Sequence, residues 1–299
     1  MAEREQNPLR GVLWMVATGA CFVALTATVK AAGTRVPAAE SAFLRYALAL
    51  PILIPAAGAI LRAHLTRRQL TLFALRGLAH TGGVILWFYA MTRIAIAEVT
   101  ALNYLNPVYV SLGAAFLFRE GLPLRRLLTV IAAFTGALII LRPGLREIDP
   151  GHVAMLGTAL CLAASYLIAK VVSDEVSATV VVGMLQATVT VGLLPFALAV
   201  WVTPTLGELG FYALAALFAT LGHTFMTFAF ASAPLTVTQP VTFLQLVWAA
   251  TLGAVAFGEP VDGWVVLGGL IIVAAISLLT WREARLRRRE RLLAAGVGV

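Results

Sequence analysis

Residues 11–30 read GVLWMVATGACFVALTATVK, and residues 151–170 read GHVAMLGTALCLAASYLIAK. Laid over each other, Gly11 meets Gly151, Met15 meets Met155, Thr18 meets Thr158, Cys21 meets Cys161, Ala24 meets Ala164 and Lys30 meets Lys170. The chain has only two cysteines and two lysines, and both pairs fall in register. A second match lies further along. Leu105 meets Leu244, Val108 meets Val247, Ala115 meets Ala254, Phe118 meets Phe257 and Glu120 meets Glu259. Tyr104 falls on Phe243, Asn106 on Gln245 and Tyr109 on Trp248. The chain therefore reads as two tandem halves.

Composition says what medium the halves occupy. Apolar residues make up 61% of the chain and charged residues 12%, against roughly 45–50% and 25% in soluble domains. So little charge cannot cover the surface of a soluble fold, and so much apolar side chain excludes disorder. A hydrocarbon core of ~30 Å takes ~20 helical residues. Ten such runs occur, over 11–30, 41–61, 72–91, 97–118, 124–141, 152–171, 179–201, 208–231, 236–257 and 263–281. Alternating short strands are missing, which excludes an outer-membrane barrel. The first run is longer than the ~7–15 apolar residues of a signal peptide, so it is read as a retained helix. Cys21 and Cys161 lie inside apolar runs and suggest no disulfide.

Lys/Arg placement sets the orientation. With both termini cytoplasmic, fifteen basic residues fall inside, among them Arg67, Arg68, Arg125, Arg126 and the tail from Arg282 to Arg291. Five fall outside: Lys30, Arg35, Arg93, Arg142 and Arg146. The reading is an all-α membrane protein of ten transmembrane helices, N-in and C-in. Five spans per half is odd, so the second half enters the bilayer inverted. Residues 1–145 form the first repeat, 146–281 the second, and 282–299 a basic cytoplasmic tail. The net charge of +8 is explained by headgroup contacts of that tail, with no nucleic-acid partner. Inverted repeats point to alternating access around a site at the midplane between the halves.

Each fourth span ends in Phe118-Arg119-Glu120 or Phe257-Gly258-Glu259, followed by a short turn and a Gly/Ala-rich fifth span, the first of which runs to Leu141-Arg142-Pro143-Gly144. Ala42-Phe43-Leu44-Arg45-Tyr46 opens the second span. This pattern resembles the drug/metabolite transporter superfamily, EamA type, over essentially the whole chain. In detail it is most similar to bacterial amino-acid exporters of the YddG kind. The resemblance implies efflux of neutral and aromatic amino acids. Arg119 departs from the Gly that many members carry before the Glu, at a cytoplasmic loop away from any substrate.

Polar groups in a bilayer need partners or water. Candidates for the substrate pathway are His80, Trp87, Asn103, Tyr104, Asn106, Tyr166, His223, Gln239, Phe243 and Gln245. Amides and imidazoles suit the charged ends of an amino acid, and the rings suit an apolar slot. The amides equally suit interhelical bonding, and the Ser and Thr side chains suit bonds to their own helices. Pro107 and Pro240 interrupt spans four and nine as hinges or as ordinary membrane prolines. Lys30 and Lys170 read as interfacial anchors or as a gate at each end. Arg45 is expected to pair with Glu40, Arg76 to sit near the inner headgroups, and Arg93 and Glu98 to be solvated. Mid-span Asp or Glu is missing, so a carboxylate relay is disfavoured and proton coupling could run only through His80 or His223. No Walker motif, metal-ligand spacing or catalytic dyad is found, so ATP, metals, cofactors and enzymatic chemistry are not expected. The expected partners are a small-molecule substrate, an amino acid or related metabolite, and the lipid bilayer. A sugar, nucleobase or drug is the alternative cargo. One ten-helix bundle makes a monomer the expected state.

Overall fold

The structure is a computed structural model describing residues 7–117, 123–173, 175–233 and 235–294. The described residues are helical throughout, apart from short turns and one isolated bridge between Pro143 and Arg146. The helices are α1 (Pro8–Ala31), α2 (Ala38–Ala49), α3 (Ile54–Arg62), α4 (Arg67–Met91), α5 (Ile96–Asn103), α6 (Asn106–Leu117), α7 (Leu124–Leu141), α8 (Pro150–Ser173), α9 (Ala178–Ala199), α10 (Leu206–Ser232), α11 (Leu235–Thr238), α12 (Phe243–Phe257) and α13 (Gly263–Ala294). Six of them are long and apolar enough to cross a membrane alone.

Local chemistry sets the boundaries. The Asn7 side chain caps α1 by accepting from the Arg10 amide at 3.1 Å. Thr66 and Gln69 form a reciprocal capping box at the head of α4, as do Thr205 and Glu208 at the head of α10. Three spans expected as continuous helices are broken. Residues 41–61 divide into α2 and α3 around a 3-10 turn, Leu50–Leu53, that contains Pro51. Residues 97–118 divide into α5 and α6, because Pro107 has no N–H to return to the Asn103 carbonyl. The chain bridges that gap with 3-10 bonds, from Tyr104 N to Ala101 O at 3.2 Å and from Leu105 N to Leu102 O at 3.0 Å. Residues 236–257 divide into α11 and α12 around a 3-10 turn, Gln239–Thr242, that contains Pro240.

Packing runs between the halves. Helix α1 lies along α10, α4 along α8, α2 against α9 and α7 against α13. The last pair approaches at glycine: a Cβ on Gly136 would stand 2.6 Å from the Gly268 carbonyl. Small residues there let two backbones touch in a medium that offers no hydrophobic force between helices. The core is continuous across these contacts, with Phe88, Met91, Leu102, Leu105, Met155, Leu193, Leu246 and Ile272 almost fully buried.

Candidate functional site between the halves

A polar network in the bundle interior joins four helices. The Tyr46 hydroxyl on α2 and His80 Nε2 on α4 share a hydrogen bond of 3.0 Å. His80 Nδ1 shares another, of 3.1 Å, with the Ser165 hydroxyl on α8. From α9, Gln186 Nε2 donates to the Tyr46 carbonyl at 2.7 Å. Arg76, one turn before His80 on α4, donates from Nη1 to the Val181 carbonyl at 2.9 Å. Tyr46, Arg76 and His80 come from the first half, and Ser165, Val181 and Gln186 from the second. Helical spacing puts Arg76 and His80 on one face of α4.

Tyr166 and His223 border accessible space beside this network. Tyr166 is 42% exposed although protein surrounds it deeply, within reach of the Arg76 and Tyr46 side chains. His223 is likewise exposed and deeply surrounded. Its ring meets Phe22 of α1 edge-on at 5.2 Å. Arg45 lies within electrostatic reach of both His80 and His223. Two further grooves lie elsewhere, one lined by Tyr109, Leu112, Phe116 and Leu160 and the other by Thr135, Leu138, Arg142 and Trp264. Neither touches the histidines.

The remaining sequence candidates are dispersed. Trp87 is half-buried with its ring against Phe88. Asn106 is buried at the head of α6. Asn103 is half-buried with its side-chain oxygen unpaired at the break between α5 and α6. The Tyr104 hydroxyl donates to the Thr242 carbonyl at 2.8 Å, which ties the break in span four to the break in span nine. Gln245 is half-buried on α12, close to Gly19 of α1. Pro107 is exposed at the first break. The side chains of Gln239, Pro240 and Phe243 lie outside the described ones. Several threonines bond back to their own helices, as Thr18 does to Trp14 O at 2.8 Å and Thr227 to His223 O at 2.9 Å.

Several expectations are corrected. Arg76 is 5% exposed and sits in the interior network, not at the headgroups. It is nine residues past Arg67, about 13 Å along the axis at ~1.5 Å per residue. Arg45 forms no ion pair with Glu40. It lies over the Tyr46 ring at 4.2 Å, while Glu40 accepts from the Val202 amide at 2.8 Å. Glu98 is buried and paired with Arg146 at 2.7 Å and His152 at 3.3 Å. Arg93 is exposed, as expected, and faces Asp149 at 3.8 Å.

One end of the bundle is pinned by charge. Lys30 at the end of α1 pairs with Glu259 just past α12 and also donates to the Ile94 carbonyl at 3.0 Å. Glu259 accepts a further bond from the Ile96 amide at 2.9 Å. A Cβ on Gly253 would collide with that carboxylate. Arg35 pairs with Glu208, and Arg142 with Asp262. Each of these three pairs joins the first half to the second. At the opposite end Arg68 pairs with Glu175, where Arg68 and Gln69 hold the Glu175 carboxyl below its ordinary range. Lys170 is exposed at that same end. Glu120, its counterpart to Glu259 in sequence, lies outside the described residues. Among the described residues no three His, Cys, Asp or Glu side chains come together as a metal site.

The EamA-like transporter family matches the chain twice, over residues 9–142 and 149–281. The chain belongs to that family. A riboflavin transporter of Rhizobium johnstonii is 31% identical over 97% of this chain and 97% of its own length. A pseudopaline exporter of Pseudomonas aeruginosa is 28% identical over 90% of this chain and 95% of its own. A solved crystal structure superposes with a TM-score of 0.60 at 20% identity, over 92% of this chain and 98% of that one, a likeness of fold alone. This EamA protein is a drug/metabolite-type transporter of small molecules and a multi-pass protein of the bacterial inner membrane. The sequence missed Tyr46 and the interior place of Arg45 and Arg76. The signal was available: neither arginine has an acid on its own apolar run.

Proposed function

We propose that the protein is a secondary transporter that moves a small metabolite by alternating access, through the space between two inverted five-span halves, 1–145 and 146–281. In this reading ten spans cross the inner membrane with both termini and the tail 282–299 in the cytoplasm. Each broken helix pair, α5 with α6 and α11 with α12, counts as one span, with Pro107 and Pro240 at the hinges. The protein works as a monomer. The observation that carries the reading is the Tyr46–His80–Ser165 network, which is built from both halves and opens beside Tyr166 and His223 onto accessible space. A site shared by two halves changes when they rock against each other.

Substrate contact falls to His80, His223 and Tyr166, supported by Trp87, Asn103, Tyr104, Asn106, Gln239, Phe243 and Gln245. Under the N-in orientation the pinned end faces outward, and Lys30 with Glu259 forms the outer gate, closed here. Lys170 takes the corresponding role inside. Export of aromatic and other neutral amino acids is the cargo and direction that the polar, aromatic interior accommodates. A second reading, transport of riboflavin, rests on the R. johnstonii relative. Counterflow of labelled phenylalanine and riboflavin into proteoliposomes separates the two. Saturable counterflow of phenylalanine supports the first, and of riboflavin the second. Counterflow of neither, nor of any small metabolite in a panel, from folded protein rejects the transport reading.

A further inference from the structure

Among the described residues, the interior network and the groups beside it hold two arginines, Arg45 and Arg76, two histidines, His80 and His223, and no acid. No Asp or Glu falls on the apolar runs 41–61 and 72–91 that carry Arg45, Arg76 and His80, and the one acid on the run 208–231 that carries His223 is Glu208 at its first residue, which pairs with Arg35. Arg76 is almost fully buried, and among the described residues no ion pair involves it. Of the five N–H donors on its guanidinium, one meets the Val181 carbonyl, and Nε is buried without a partner. The Arg45 Nε is likewise buried and unpartnered. The groups within electrostatic reach of Arg76 are Tyr46, Tyr166 and His80, and Arg45 reaches both histidines. Every charge-bearing neighbour in this cluster is basic or phenolic.

An unpaired arginine in a bilayer interior is costly. Snorkelling is the usual relief, but Arg76 is enclosed and cannot reach a headgroup. Burial without a counterion is maintained where a ligand supplies the missing charge, and guanidinium forks match carboxylate and phosphate oxygens bidentately. We infer that Arg45 and Arg76 form an anion-binding subsite of the transport pathway, and that the transported metabolite carries a carboxylate or phosphate on an aromatic body. Tyr166 and His223, facing the adjacent space, are placed to lie against such a body. The subsite rests on the proposed transport pathway, and it deepens that proposal by naming the substrate's charge. An aromatic amino acid, the cargo proposed above, meets this subsite through its carboxylate, but its ammonium finds no acid among these groups. The net anion is preferred.

The test is calorimetric titration of the full chain in lipid nanodiscs with matched probes. These are 3-phenylpropanoate, phenylalanine and 3-phenylpropanamide, then riboflavin 5′-phosphate and riboflavin. The expected result is that one anionic member binds at least tenfold more tightly than its neutral or zwitterionic partner. That preference should fall at least tenfold in Arg45→Gln, which removes no backbone hydrogen bond, and survive in part in Arg76→Lys, which keeps the charge. Preference for phenylpropanoate assigns a carboxylate, and for the flavin phosphate a phosphate. Equal binding of anionic and neutral members, absence of binding by every anion, or a preference unchanged in Arg45→Gln overturns the inference. Anion binding without counterflow of any panel compound would reject transport and leave the subsite standing. Counterflow of neutral compounds without anion preference would do the reverse.

Discussion

Neutralising Glu259 should loosen the pinned end of the bundle. Its carboxylate receives the Lys30 ammonium and the Ile96 amide, and the two side chains of the ion pair keep only 12% and 21% of their surface. Glu259→Gln has nearly the same shape, but the charge is lost and its single amide oxygen can replace only one of the two carboxylate oxygens that accept from Lys30 and Ile96. Hydrogen bonds to charged groups contribute roughly 1.5–3 kcal/mol and neutral ones roughly 0.5–1.5. The difference, about 1–2 kcal/mol, corresponds to a 5–30-fold change in an equilibrium. The assay is labelling of a cysteine placed at Thr100, which is 6% exposed on α5, one turn beyond Ile96. With Cys21 and Cys161 replaced by serine, an impermeant maleimide should modify Thr100→Cys slowly. Adding Glu259→Gln should raise the rate about 5–30-fold, and Lys30→Met should act in the same direction. An unchanged rate in both variants would refute the assignment of this pair as a lock.

Other outcomes follow from single contacts. Tyr46→Phe leaves His80 Nε2 without its partner. It should cost roughly 1–3 kcal/mol of stability in thermal unfolding and lower counterflow more than Tyr104→Phe does. Gly136→Ala forces a methyl group against the Gly268 carbonyl. It should destabilise by roughly 1–3 kcal/mol, visible as a lower melting temperature in detergent. Glu175 is held below its ordinary value of 4.5 by Arg68 and Gln69, so it stabilises the fold above that pH and ceases to as its own carboxyl protonates in acid. The melting-temperature gap between wild type and Glu175→Gln should stay constant from neutral pH down to about 5 and close below 4.5; a gap that widens in acid would refute the sign.

Some of this was legible in residues and some was not. Helix content and the membrane setting follow from apolar runs that no soluble surface could carry. The register of Cys21 with Cys161 and Lys30 with Lys170 marked α1 and α8 as counterparts. The breaks in spans two, four and nine coincide with Pro51, Pro107 and Pro240. Proline removes one bond, however, and whether a helix bends or splits depends on what its neighbours offer the freed groups. His80 and His223 stood out because imidazoles in lipid are expensive. Arg76 was misplaced because an arginine ten residues into a helix can either snorkel outward or point inward, and sequence does not say which. Tyr46 was missed because an aromatic residue on an apolar helix reads as core. Only the tertiary fold sets its hydroxyl 3.0 Å from His80. Glu259 was noticed as a repeated position, but its partner lies 229 residues away.

The most direct test of the account is to clamp the pinned end and measure flux. In a background free of Cys21 and Cys161, Lys30→Cys and Glu259→Cys are combined and joined by a short, reducible bifunctional thiol reagent in proteoliposomes. The account requires counterflow of the transported metabolite to fall to the protein-free baseline on cross-linking and to return on reduction. Counterflow that continues unchanged with the two halves tied together there would contradict transport by alternating access between them.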